Sequence, residues 1–350
     1  MKTRQLLIIA SFALLTSCSI FDDGSGDPVK SVIPSGRGVF VINEGNFTHG
    51  NGSLSYYSID SSKIYNDLFS QVNGRPLGDV PSSMGIKDGY AYIVVNNSGK
   101  IEVVDALTLK SKTTISGLNS PRNILFVNSS KAYVTSMWGT SVYIIDLISQ
   151  TLKSEIAVRR STEAIVVSGN RVFVSNYISG KSVMVLDKTT DSVIDSLEVG
   201  DEPESMVIDK NNKLWVLCSG GYSDTNVPQL LRIDPATLAI EKRDTFPSGI
   251  PGPSALRINS GGDTLYFLRN GVWRHPVDET NLPENPFIRQ GSRTLYNIAV
   301  DPLNGHIFAS DAGNFTDRGY LLWFGRDGQV SDSAKADIIP GSLFFRQGTY

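Results

Sequence analysis

The sequence predicts an all-β fold: a seven-bladed β-propeller closed by pairing of its C-terminal strand with its first blade. Three observations carry this. Four short strand-like runs lie between Arg171 and Asn212, each bounded by turn residues. Runs of this kind recur along the chain at a fixed period. The runs are apolar at consecutive positions, as in Val183-Met184-Val185-Leu186, so both faces of each strand are covered. A four-stranded sheet stacked between copies of itself is a propeller blade.

The unit opens with Arg171–Asn176 and a polar loop, Tyr177–Lys181. A second run, Ser182–Leu186, ends at Asp187, and a third spans Val193–Val199. A turn at Gly200–Glu204 leads into a fourth run, Ser205–Asp209. The opening run centres on an aromatic residue in seven places: Phe40, Tyr92, Tyr133, Phe173, Trp215, Tyr266 and Phe308. Their spacings are 52, 41, 40, 42, 51 and 42, a base period near 41 with two insertions of about ten residues.

The second run ends in Asp at Asp60, Asp105, Asp146, Asp187 and Asp234, and less regularly at Asp278. An Asp there bonds backbone groups two residues on and sets the turn. In the last repeat Gly325 takes the place, and the turn moves to Arg326-Asp327-Gly328. Proline precedes or opens the fourth run at Pro81, Pro121, Pro203, Pro253 and Pro340. The chain enters the repeat at a second strand, near Val39, and leaves it at a fourth-type strand, Gly341–Arg346. Pairing these two completes the first blade and leaves no open edge. No amphipathic helix of any length is expected.

Residues 1–17 read as a leader. Lys2 and Arg4 precede an apolar stretch, Leu6–Leu15, too short to span a membrane. Leu15-Thr16-Ser17-Cys18 fits a lipobox, with Cys18 the lipidated first residue and residues 18–36 a flexible tether. The propeller then covers residues 37–350. Only Cys218 remains, so neither a disulfide framework nor a cysteine metal site is available. A net charge of −3 with scattered Lys and Arg argues against a nucleic-acid partner.

The strand ending in Val-x-Val-Ser-Asn, the Asp-ended strand and the Pro turn together resemble YVTN or YncE-type propellers, over residues 38–350. A narrower likeness lies in Val41-Ile42-Asn43-Glu44-Gly45-Asn46-Phe47 and Gly50–Tyr57. This stretch resembles the opening blade of Bacteroidetes surface lipoproteins, a family that includes the cobalamin-capturing, BtuG-like proteins. The acidic Asp22-Asp23 after Cys18 resembles the surface-export signal of such lipoproteins. The resemblance implies a lipid-anchored protein on the outer membrane, facing the cell exterior. It would capture cobalamin or another corrinoid for a TonB-dependent transporter, with no catalytic activity and no cofactor of its own.

Loops that enter the channel strands or join the opening two runs crowd one face of a propeller. They bring Asn46, Phe47, Asn97, Arg122, Asn123, Trp138, Arg160, Tyr177, Tyr222, Arg293, Tyr296, Asn314 and Phe315 to that mouth. Aromatic side chains supply rigid area, and Asn and Arg supply hydrogen bonds to a polar-rimmed ligand. Gly45-Asn46-Phe47-Thr48 and Gly313-Asn314-Phe315-Thr316 share a sequence, which fits either one loop fold used twice or a paired lip. His49, His275 and His306 are widely spaced and set no metal-ligand pattern. Two other classes stay open. A metal-dependent, lactonase-like hydrolase would draw on Glu44, Asn123, Asn176, Glu204 and Asp311, and a protein-docking or adhesion propeller would use the ring face itself.

Overall fold

A computed structural model describes residues 31–221, 226–248 and 252–346. The leader, Cys18, most of the expected tether and Tyr222 lie outside these residues. Seven four-stranded antiparallel sheets follow one another around a ring. Blade 4 is representative, with Ile165–Ser168 innermost, then Arg171–Asn176, Ser182–Asp187 and the outer Ser192–Glu198.

The repeating unit is therefore offset from the blade by one strand. The run at Pro203–Ile208 does not join the three strands before it. It pairs with Leu214–Cys218 as the innermost strand of blade 5. That offset is what closes the ring. Pro340–Arg346 pairs with Gly38–Asn43, setting Phe344 opposite Phe40 and Phe345 opposite Val39.

The seven central aromatics are all buried, with Trp215 at 0% exposure although it is the bulkiest of them. Each sits on the second strand, where blade faces press together. Tyr57 and Trp323 meet Phe308 between blades 1 and 7, and Tyr92 meets Phe126 between blades 2 and 3. The third run departs from the expectation of a strand covered on both sides. Val193 and Ile194 are 42% and 49% exposed, because an outer strand has one neighbour and the blades diverge at the rim.

The four most regular Asp turns form as expected. Asp105, Asp146, Asp187 and Asp234 each accept backbone N–H groups two and three residues on, at 2.8–3.0 Å. Asp327 does the same for Gln329 in the displaced turn. Asp60 and Asp278 do other work: the former accepts the Arg37 N–H and the latter pairs with Lys210.

Two expectations are corrected. The first insertion carries a short helix, Leu68–Asn73, which buries Leu68 and Phe69 against blades 1 and 2. It is too short for helical periodicity to register in the sequence. The residue that holds the insertion is Arg75, which bonds the fully buried Glu102 beside Lys100, Ser111 and Thr114. Part of the stretch expected as tether is also packed against the ring. Ile33, an apolar residue in a polar run, is 1% exposed, and Arg346 donates to the Pro34 carbonyl.

Two predictions follow from closure and from the anchored insertion. Removal of residues 340–350 takes away the innermost strand of blade 1 and exposes the edge of Gly38–Asn43. Calorimetry is expected to lose its single cooperative transition, and size-exclusion chromatography to find aggregate. Burial alone would raise the Glu102 carboxyl, but Arg75, Ser111 and Lys100 outweigh it and hold it below the ordinary value of 4.5. A depressed carboxyl stabilises the fold above its unfolded value and loses that contribution as pH falls. Melting temperature in wild type is therefore expected to drop more steeply below pH 4.5 than in Glu102→Gln.

Candidate functional site: a charged cavity at the channel mouth

Pairing with the central aromatics gives the innermost strands a common register. Gly85, Leu125, Val166, Val207, Arg257, Ala299 and Phe344 each face one of them. Three residues earlier lie Ser82, Arg122, Glu163, Glu204, Ser254, Tyr296 and Gly341. All of these except Gly341 line a cavity of about 820 Å³ at the loop-rich face, and Ser342 completes it in blade 1.

A regular strand would send alternate residues to opposite faces. Here neighbours such as Arg122 and Asn123, Glu204 and Ser205, and Tyr296 and Asn297 all reach the same cavity. The reason is a register shift at the start of the inner strand in every blade except blade 4. Such bulges re-aim side chains at sheet rims. Four of the prolines sit at these shifts, each preceded by a non-glycine residue at positive φ: Val80 at 53°, Ser120 at 48°, Glu202 at 50° and Ile339 at 53°. For β-branched Val80 and Ile339 that conformation is strained.

The cavity wall is charged. Arg122 holds Glu163 in a fork, with Nε to Oε2 at 2.8 Å and Nη2 to Oε1 at 2.8 Å, and Asn123 donates to the Glu163 carbonyl at 3.1 Å. Burial works against the Arg122 charge, yet the Glu163 carboxylate more than offsets it and keeps the guanidinium above its ordinary range. On the opposite side the Tyr296 hydroxyl donates to Glu44 at 3.1 Å. Burial pushes the Glu44 carboxyl up, against the pull of Arg122 and Tyr296. Burial likewise raises Glu204, which accepts the Ala255 N–H at 3.0 Å. Among the described residues, no three His, Cys, Asp or Glu side chains are grouped to hold a metal ion.

Of the sequence-selected residues, Arg122, Asn123, Tyr177, Tyr296 and Phe315 line the cavity. The others do not. Asn97 bonds Asp79. Arg293 lies 6.0 Å from the Phe324 ring. Arg160 is exposed, and so are Phe47 at 66% and Trp138 at 65%, on the face outside the cavity. Asn46 and Asn314 build their own loops. Asn46 exchanges bonds with Asn51, and Asn314 accepts the Thr316 and Asp317 N–H groups.

The two Gly-Asn-Phe-Thr loops touch, Asn46 donating to the Thr316 carbonyl at 3.3 Å. They are not one fold used twice: positive φ falls on Thr48 in one and on Phe315 in the other. Phe315 packs edge-on against Tyr296 at 5.2 Å, leaving both half-open at the cavity rim. Cys218 ends a strand and is fully buried, its thiol pushed up to about 12 by burial. His306 accepts from the Trp323 indole, His275 is buried against Trp215, and His49 bonds the Phe47 carbonyl. The residue that sequence reasoning passed over is Arg257. Its signal was available, as the sole charged residue at the centre of a fourth-type run.

Ring and cavity together define a seven-bladed β-propeller with a polar, charge-lined mouth. The chain belongs to the family of the domain of unknown function DUF5074, whose model matches residues 37–322. It is 29% identical over 140 residues to a seven-bladed β-propeller protein of Mycobacterium tuberculosis, Rv1057, a match covering 38% of this chain and 35% of that one. Among solved structures it is similar to a quinonprotein alcohol dehydrogenase-like protein of Bacteroides thetaiotaomicron, with a TM-score of 0.71, 14% identity and 89% and 79% of the two chains covered. It is also similar to the periplasmic gluconolactonase of Pseudomonas aeruginosa, with a TM-score of 0.68, 14% identity and 90% and 100% covered. At these identities the structural likeness speaks to the fold alone.

The Arg122–Glu163 pair carries a prediction. Arg122→Ala leaves a largely buried carboxylate without its partner and is expected to destabilise the protein by about 3 kcal/mol. Urea unfolding measures it. Replacing both members by apolar residues is expected to recover most of the loss.

Proposed function

We propose that this protein captures a small molecule at the propeller mouth and releases it unchanged. The observation that carries this reading is the cavity itself: about 820 Å³, lined by placed hydrogen-bonding groups. Around it Phe47, Trp138 and Phe315 stay exposed on the mouth loops. A cavity of this size with placed polar groups beside aromatic area has the dimensions and orienting groups of a small-molecule site.

A corrinoid fits this arrangement as ligand. Its broad apolar ring would lie on the aromatic residues, and its amide rim would meet Asn123, Asn297 and the serines of the inner strands. In this reading Cys18 carries the lipid anchor, the propeller faces the cell exterior from the outer membrane, and a TonB-dependent transporter receives the ligand. The sequence likeness of Val41–Phe47 and the lipobox support it.

Calorimetric titration with cyanocobalamin tests the proposal. Stoichiometric heat is expected, with affinity reduced about tenfold or more in Trp138→Ala and Phe315→Ala. No heat at high micromolar ligand removes the corrinoid as ligand. A hydrolytic reading has one observation in its favour, the buried Glu44 that is pushed toward its protonated form beside the Tyr296 hydroxyl. Hydrolysis of a sugar lactone by wild type, lost in Glu44→Gln, would replace capture with catalysis.

A further inference from the structure

The sevenfold repeat is its own control. At the position facing each central aromatic, six innermost strands carry Gly85, Leu125, Val166, Val207, Ala299 and Phe344, and the seventh carries Arg257. A guanidinium in an otherwise apolar ring costs desolvation that a partner carboxylate would ordinarily offset. None does so here: among the described residues no carboxylate lies within 4.0 Å of it.

Arg257 instead donates to three neutral acceptors. Nε bonds the Ile298 carbonyl at 3.1 Å, Nη1 the Leu256 carbonyl at 2.9 Å, and Nη2 the Asn297 side-chain oxygen at 2.7 Å. These contacts hold the fork in place, and Glu204, the carboxylate that acts on it, stays beyond ion-pair distance. A guanidinium has five N–H donors, so one remains on each terminal nitrogen. That pair matches the two oxygens of an oxyanion.

The lining also carries four glutamates, Glu44, Glu163, Glu202 and Glu204, of which only Glu163 is in ion-pair contact with an arginine among the described residues. Of its three arginines, Arg122 is matched by Glu163, and Arg269 lies over the Phe246 ring while donating to the Pro247 carbonyl. Glu204 is the charge nearest in effect to Arg257, and burial shifts it toward its neutral form, which weakens its opposition to an incoming anion.

We propose that Arg257 anchors an oxyanion, a carboxylate or a phosphate, on the ligand that enters the mouth cavity. The inference rests on capture at the mouth but not on the ligand being a corrinoid. The anionic group would reach the wall first held by the fixed fork, and the remainder of the ligand would extend toward Tyr296 and Phe315.

The test is thermal unfolding of the full chain with formate, acetate, citrate, gluconate and inorganic phosphate at matched ionic strength. At least one is expected to raise the wild-type melting temperature by about 2 °C, and none to move Arg257→Leu. A response from gluconate or citrate without phosphate assigns a carboxylate, and the reverse assigns a phosphate. Arg257→Lys keeps the charge and the stem but not the fork, so it is expected to lose at least half of the response, and it serves if the Leu variant fails to fold. If no anion moves wild type more than it moves the variants, the anchor is overturned. Cyanocobalamin in the same assay separates the two readings. Equal binding by wild type and Arg257→Leu keeps capture and removes the anchor. An Arg257-dependent anion response without any cyanocobalamin response keeps the anchor and removes the corrinoid.

Discussion

Pairing of Pro340–Arg346 with Gly38–Asn43 is the constraint on which the molecule depends. Seven sheets stacked in a ring bury their faces only if the first and last meet. The chain achieves this by contributing to blade 1 from both ends, so the contact between blades 7 and 1 becomes another interior. Phe308 there packs on Trp323 and Phe345, and Tyr57 bonds Asp332 across the seam. Every other blade interface follows from closure, because a propeller blade is apolar on both faces and has no stable existence alone.

Closure also creates the mouth. Seven innermost strands converge there, too close for seven bulky side chains at one level. The bulges and the strained residues before Pro81, Pro121, Pro203 and Pro340 resolve the crowding by turning consecutive side chains toward the channel. Strain of this kind persists only where surrounding structure over-determines it. Here the ring does so, and the product is a wall of paired and unpaired charges instead of a filled core.

The charges divide into two kinds. Arg122 with Glu163, and Arg75 with Glu102, are neutralised pairs that tie one strand or insertion to its neighbour. Glu44, Glu204 and Arg257 have no ion-pair partner among the described residues and face the same cavity. The first kind stabilises an arrangement. The second costs stability, because a buried charge without a partner keeps its desolvation penalty.

Much of this was open to reading from the chain alone. The apolar runs, the seven aromatics, the turn Asp and Pro residues and the unpaired final strand determine blade count, strand order and closure, because each is a local pattern repeated at a fixed spacing. They also place Arg122, Asn123, Tyr177, Tyr296 and Phe315 on the face where the cavity opens. Beyond that, tertiary structure decided. The short helix at Leu68–Asn73 and the packing of Ile33 arise from contacts with distant blades. Which mouth residues share a cavity depends on bulges that shift the pleat by one residue, and loop sequence does not encode that shift visibly: Asn46 and Asn314 turn inward to their own loops. The meaning of Arg257 needed the ring most of all. Whether a charge is matched depends on side chains brought close from other blades, and proximity between blades is a property of the closed fold.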